Sequence, residues 1–278
     1  MPIVTQTNVA SLETQKNLFR SQAALQKSFS RLSSGHRINS AADDAAGLAI
    51  SESMRTQIRS YVVAERNASD AISMTQTAEG ALGEMHSILG RLRELAMQGS
   101  NGSMTATDRG YLSTEFSALQ AEMTRIQASS KFNGKSLLSA TASSLTFQVG
   151  LNNTASDKVT LTFGGLGLTT LLAATTNLSG AGTTASLTAL GRIDSALATI
   201  STSRARFGAA MNRFEVVTSS IQTMRLNLSA ANSRIRDVDV AEETSALARN
   251  QVLSQAGVAV LAQANQLPQL ALSLVGGG

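Results

Sequence analysis

The chain has no cysteine, and that one absence excludes disulfides, thiolate chemistry and cysteine-ligated metals. Proline is almost missing too. Pro2 and Pro268, both near the extremes, are the only two, so nothing between them carries the strongest helix breaker and long helices are permitted. Tryptophan is absent and aromatics make up 4% of the 278 residues, which speaks against an aromatic-walled pocket. Two histidines, His36 and His86, are too few for a histidine metal cluster and stand in no HExxH pattern. Charge is missing in a patterned way: no Asp, Glu, Lys or Arg precedes Glu13 or follows Arg249, and none stands between Lys158 and Arg192. Chain ends are ordinarily solvated and frayed. These ends are instead composed for burial, and the simplest surface on which to bury them is a further copy of the same chain, which points to a self-assembling structural subunit.

What is present agrees with that reading. Hydrophobic residues reach 42%, enough for a sizeable core, and Ala, Ser, Thr and Leu dominate, as in long helices that meet along narrow seams. The net charge of +4 does not come from a basic cluster beside stacking aromatics, so no nucleic acid is expected as a partner. Met1-Pro2-Ile3-Val4-Thr5-Gln6 has neither a basic n-region nor a sustained apolar core, so a cleavable secretory signal is not expected. The uncharged C-terminal stretch is interrupted by Gln251, Gln255, Gln263, Asn265, Gln266 and Pro268, with no Lys or Arg at its far end. It reads as protein-buried and not as a membrane span.

Along the chain, Leu18, Leu25 and Leu32 repeat every seven residues with Phe29 beside them, predicting a helix from about Val4 to Ser33 that Ser34-Gly35 ends. Ser40 and Asp43 look like a capping pair that opens a second helix running to about Gln98, roughly 80 Å long at 1.5 Å per residue. Thr105 and Asp108 repeat the capping arrangement. Leu112, Phe116, Leu119, Met123 and Ile126 then mark the seam of an antiparallel partner helix. Leu145, Phe147 and Val149, then Val159, Leu161 and Phe163, alternate with polar residues around an Asn/Asp turn and predict a β-hairpin, followed by a loose Gly/Thr segment to about Thr184. Next comes coiled-coil spacing through Ile193, Ile200, Phe207, Phe214, Ile221, Leu228 and Ile235. Arg204 and Arg225 at companion positions suit a helix packed among several others. A last helix from about Val240 to Leu274 carries Leu253, Val260, Leu261 and Leu267 on more than one side, the pattern of a helix buried all round. The fold class is therefore mainly α: a long antiparallel helical bundle or coiled coil with a small β-hairpin region and paired terminal helices. The expected organisation is a terminal-helix domain, 1–40 with 238–278, and a helical domain, 41–237, carrying the hairpin and the Gly/Thr segment at about 140–188.

Specific residues carry a resemblance. Ser30-Arg31-Leu32-Ser33-Ser34-Gly35 with Arg37-Ile38-Asn39-Ser40-Ala41-Ala42-Asp43-Asp44-Ala45-Ala46-Gly47 near the start, and Ser233-Arg234-Ile235-Arg236-Asp237, Ala241-Glu242-Glu243 and Gln255-Ala256-Gly257 through Gln266 near the end, resemble the two signatures of bacterial flagellins. His36 departs from the family, which more often has an apolar residue there, and the middle is too short for the large outer domains of bigger flagellins. The resemblance implies a homopolymeric, extracellular filament subunit for swimming motility. It implies export through the flagellar type III apparatus with a chaperone, and hook-associated and cap proteins as further partners. In that reading Leu18, Leu25, Phe29, Leu32, Leu253, Val260, Leu261 and Leu267 belong to the filament core. Two alternatives are a hook-filament junction protein and a secreted membrane-active coiled-coil protein.

Candidate chemistry reduces to structure. Gly134-Lys135-Ser136 lacks the upstream glycine of a phosphate loop and reads as a turn, while the acidic pairs Asp43-Asp44, Asp237/Asp239 and Glu242-Glu243 sit at helix starts, where they favour the dipole. No enzyme activity, cofactor or metal is expected. Arg91, Glu94 and Gln98 share a helix face with Leu95 at its boundary. In a flagellin this segment resembles the region bound by the vertebrate Toll-like receptor for flagellin, with Glu115 matching a further contact and Gly90 departing from the family's Gln. Subunit packing accounts for the same residues equally well.

Overall fold

The computed structural model describes residues 7–168, 178 and 183–275, with side chains through Gln266. The expectations for residues 1–6, for the side chains of Leu267, Leu270 and Leu274, and for most of the Gly/Thr segment lie outside the described residues. In chain order the elements are α1 (Val9–Ser34), α2 (Ala45–Gly99), α3 (Ala106–Ser129), β1 (Lys131–Phe132), β2 (Lys135–Ser136), β3 (Ser143–Gln148), a 3₁₀ turn (Ala155–Asp157), β4 (Lys158–Phe163), α4 (Thr184–Arg236) and α5 (Val240–Val275). They fall into two compact units, Met1–Ile58 with Leu226–Gly278, and Arg59–Arg225.

In the first unit α1 packs along α5. α1 begins at Val9, later than the expected Val4, because the Asn8 side chain accepts a hydrogen bond from the Ser11 N–H at 3.0 Å and so caps the helix there. It ends on Gly35, whose φ of 71° is the left-handed C-cap conformation that glycine adopts without penalty. The opening of α2 also differs from expectation. Ser40 and Asp43 form a turn, whose Asp43 carboxylate accepts from the Asn39 and Ser40 N–H groups and faces Lys27 at 2.6 Å. The cap is Asp44, which accepts from the Gly47 N–H at 2.8 Å, so α2 starts at Ala45.

The second unit is built on α2. Its Ala64, Ala68, Ala71, Ala78, Leu82, Met85, Leu89 and Leu92 are buried, and with Phe116 and Met123 of α3 and Ile193, Ile200, Phe207, Phe214 and Ile221 of α4 they form one core. The heptad seam thus buries five of its members in this unit. Ion pairs flank it in antiparallel order: Arg93–Asp194 at 2.8 Å, Glu79–Arg204 at 2.6 Å and Glu65–Arg225 at 2.6 Å, descending α2 while ascending α4. Arg204 and Arg225, misfits for a two-stranded seam, reach across to α2 carboxylates instead. Thr105 and Asp108 form the expected capping box of α3.

β3 and β4 make the predicted antiparallel hairpin with Leu145 opposite Leu161 and Phe147 opposite Val159. In its turn the Asp157 carboxylate accepts from the Asn152 N–H and the Thr154 hydroxyl. Sequence reasoning missed a second hairpin. β1 and β2 flank Asn133 and Gly134, at φ 47° and 77°, the positive angles of a type I′ connection, so the Gly134-Lys135 segment is a turn as read but carries short strands on both sides.

Candidate functional site

The first candidate surface lies on α1 and α5. Their register is set by Asn8 Nδ2 donating to the Ala264 carbonyl at 2.7 Å and Ser11 Oγ donating to Asn265 Oδ1 at 2.8 Å. Gly257 lies against Leu18, leaving 3.3 Å between a Cβ placed there and the leucine methyl. Leu18, Leu25, Leu32 and Leu261 are half-buried. Yet Val9, Leu12, Phe19 and Phe29 on α1, and Val252, Leu253, Val258 and Val260 on α5, are each more than half exposed. Among the described side chains of the two helices, Ala264 is the one apolar residue that is fully buried. Two helices cover only one stripe of each other, so the helix expected to be apolar all round keeps its other sides open within a single chain.

Where α1 and α4 end, the chain segments beyond them pair. Arg37 N–H donates to the Arg236 carbonyl at 2.7 Å and Val238 N–H donates to the Gly35 carbonyl at 3.1 Å. Arg31 reaches Glu243 at 3.4 Å, and Arg236 reaches Glu52 at 2.6 Å. The Lys27 ammonium, with the N–H groups of Asn39 and Ser40, holds the Asp43 carboxyl down at about 2. This junction network escaped the sequence reading, because Asp43 was assigned to a cap and no local pattern pairs residues 184 to 212 positions apart. Asp239 does cap α5, accepting from the Ala241 and Glu242 N–H groups.

The second candidate surface is on α2. Counting about 100° per residue from Arg91, Leu95 falls at about 40°, Leu92 at about 100°, Ala96 at about 140° and Arg93 at about 200°. Arg91 pairs with Glu115 of α3 at 2.7 Å and Arg93 with Asp194 of α4 at 2.8 Å. The two arginines therefore mark the rims of the buried arc, and Leu95 lies inside it at 1% exposure. Its expected place at the boundary between faces is corrected: α3 and α4 on two sides widen the covered arc past it. Glu94, Gln98 and Glu115 are exposed as expected. Glu115 first, then Glu94 at 2.9 Å, hold the Arg91 guanidinium above its ordinary pKa, and the three form an exposed ion triad.

No described trio of His, Asp or Glu side chains converges to hold a metal, and no described helix is long and apolar enough to cross a membrane. What the surfaces offer is apolar area and paired charge for protein contacts.

The comparisons agree at both ends of the chain. Residues 5–143 match the family model of the bacterial flagellin N-terminal helical region and residues 190–275 that of the C-terminal helical region. A flagellin of Halalkalibacterium halodurans is 42% identical over 268 residues, 96% of this chain and 98% of the relative. A flagellar filament core protein of Brachyspira hyodysenteriae is 40% identical over 286 residues, 98% of this chain and 100% of the relative. A solved Vibrio parahaemolyticus protein, described as flagellar hook-associated, covers 70% of this chain and 100% of its own at a TM-score of 0.60, but at 14% identity it speaks for the fold alone.

Proposed function

The chain belongs to the bacterial flagellin family, and on that premise we propose how it works as a structural subunit of the flagellar filament. The helices of 1–40 and 238–278 form the inner core of the tube and 41–237 the layer around it. Leu18, Leu25, Phe29, Leu32, Leu253, Val260, Leu261 and Leu267 become buried when copies polymerise. The observation that carries this reading is the open apolar surface of α1 and α5, from Val9 through Phe29 and from Val252 through Val260. Large apolar side chains left exposed in such number on two paired helices support a protein contact there. The junction-protein alternative is disfavoured by about 40% identity to filament proteins along nearly the whole chain. The role is structural and not catalytic. Its location is the extracellular filament, reached through the flagellar export apparatus with a chaperone, and its neighbours there include hook-associated and cap proteins.

A second reading concerns the ion triad. Arg91, Glu94 and Glu115 remain exposed, and with Gln98 they offer a charged contact surface to a neighbouring subunit or to a host Toll-like receptor, while Leu95 acts from beneath by holding α2 in place. Electron microscopy of concentrated purified protein tests the main reading: tubes are expected, and a solution that stays monomeric under all polymerising conditions would overturn it.

A further inference from the structure

His36 sits at the junction beyond α1, directly opposite Asp237. Its Nδ1 lies 3.4 Å from Asp237 Oδ1 and is itself buried without a hydrogen bond, although the side chain as a whole is 41% exposed. The two backbone bonds of Arg37 and Val238 bracket this contact. The other charged groups of the junction have partners of their own: Lys27 and Arg31 of α1 meet Asp43, Arg31 also meets Glu243, and Arg236 meets Glu52. Arg37 donates to the Ile235 carbonyl, and Asp239 accepts from the first turn of α5. Arg234 and Glu242 line the adjacent cleft of about 530 Å³.

We propose that His36 and Asp237 form a proton-operated clasp across the two chain segments from which the terminal helices spring. A neutral ring offers Asp237 either an uncharged N–H or a lone pair, according to its tautomer. A charged ring donates a charge-assisted bond to Asp237 and adds an ionic side-chain tie to the two backbone ties. Charge on the ring tightens the clasp, and loss of that charge loosens it.

The inference rests on the filament reading, and its test separates the two. Preformed filaments are pulsed with deuterium at pH 8 and pH 6, with rates corrected for intrinsic exchange, and peptides containing Arg37 and Val238 are read by mass spectrometry. Protection of both should rise roughly two- to fivefold at pH 6, the range expected for one half-exposed ion pair. His36→Asn and Asp237→Asn should lose the pH response, while His86→Asn, which removes the other histidine, should keep it. A flat response in the unsubstituted protein, or an equal rise in His36→Asn, overturns the clasp. Failure to form filaments would count against the assembly reading instead, and the same exchange comparison is then decided on the monomer.

Discussion

The ring of Phe147, on β3, stands edge-on to that of Phe214, on α4, with centroids 5.5 Å apart and planes at 85°. One hairpin residue thereby docks on a fully buried heptad residue, tying the β-region to the helical core. Phe214→Ala removes both the ring contact and the fill of a closed site, so it should cost about 3–5 kcal/mol of unfolding free energy, and Phe147→Ala, only half-buried, should cost less. Urea denaturation followed by circular dichroism measures both. Equal small losses would mean that the hairpin does not pack as described.

Arg91 and Leu95 should separate cleanly by experiment. Leu95→Ala opens the core and should destabilise the fold by about 2–5 kcal/mol, whereas Arg91→Ala breaks surface ion pairs and should leave the melting temperature nearly unchanged. If the triad is a contact surface, Arg91→Ala should still lower receptor signalling by monomer more than about tenfold, or impair swimming, or both. Unaltered signalling and swimming would leave the triad as a solvated helical face.

The open faces of α1 and α5 predict an assembly-specific defect. Val260→Asp or Leu261→Lys would trap a charge without a partner in the filament core at a cost of several kcal/mol, so sedimentation should show no polymer while circular dichroism still reports folded long helices. Normal polymer from both variants would place this side of α5 in solvent.

For the same reason the terminal helices of the monomer should be the first to be cut. Limited proteolysis should trim about 40 residues from each end of dilute monomer and spare the middle, and filaments should resist. Equal resistance in the monomer would contradict it.

Asp43 sets a pH dependence. Its carboxyl, unperturbed at 3.8, is held at about 2 by Lys27, so its contribution is present above the unfolded value and is lost as the pH falls from about 4 through about 2. Asp43→Asn filaments should be less stable at pH 5, and their acid disassembly, measured by pelleting between pH 6 and pH 2, should be shallower. An unchanged profile would show that the pair with Lys27 contributes nothing in the polymer.

Much of this was legible in one dimension because the signals are local. Periods of seven and of two report which side of a helix or strand is covered, and capping groups act within one turn, as the Thr105–Asp108 box and the β3–β4 hairpin illustrate. Charge depletion at both ends was equally readable, being a property of composition alone.

Tertiary structure decided what depends on a second element arriving. Leu95 passed from boundary to core because α3 and α4 cover two sides of α2, and no helical period encodes the width of a buried arc. Asp43 turned from cap to ion-pair partner because Lys27 came within 2.6 Å, which left capping to Asp44. His36 met Asp237 only because the two chain reversals run side by side. The sequence by itself determined the helices, the hairpin and the apolar termini, because those follow from nearest-neighbour sterics and hydrophobic period. Which charges meet was settled by packing, since a Coulomb contact depends on distance in space and not on separation along the chain.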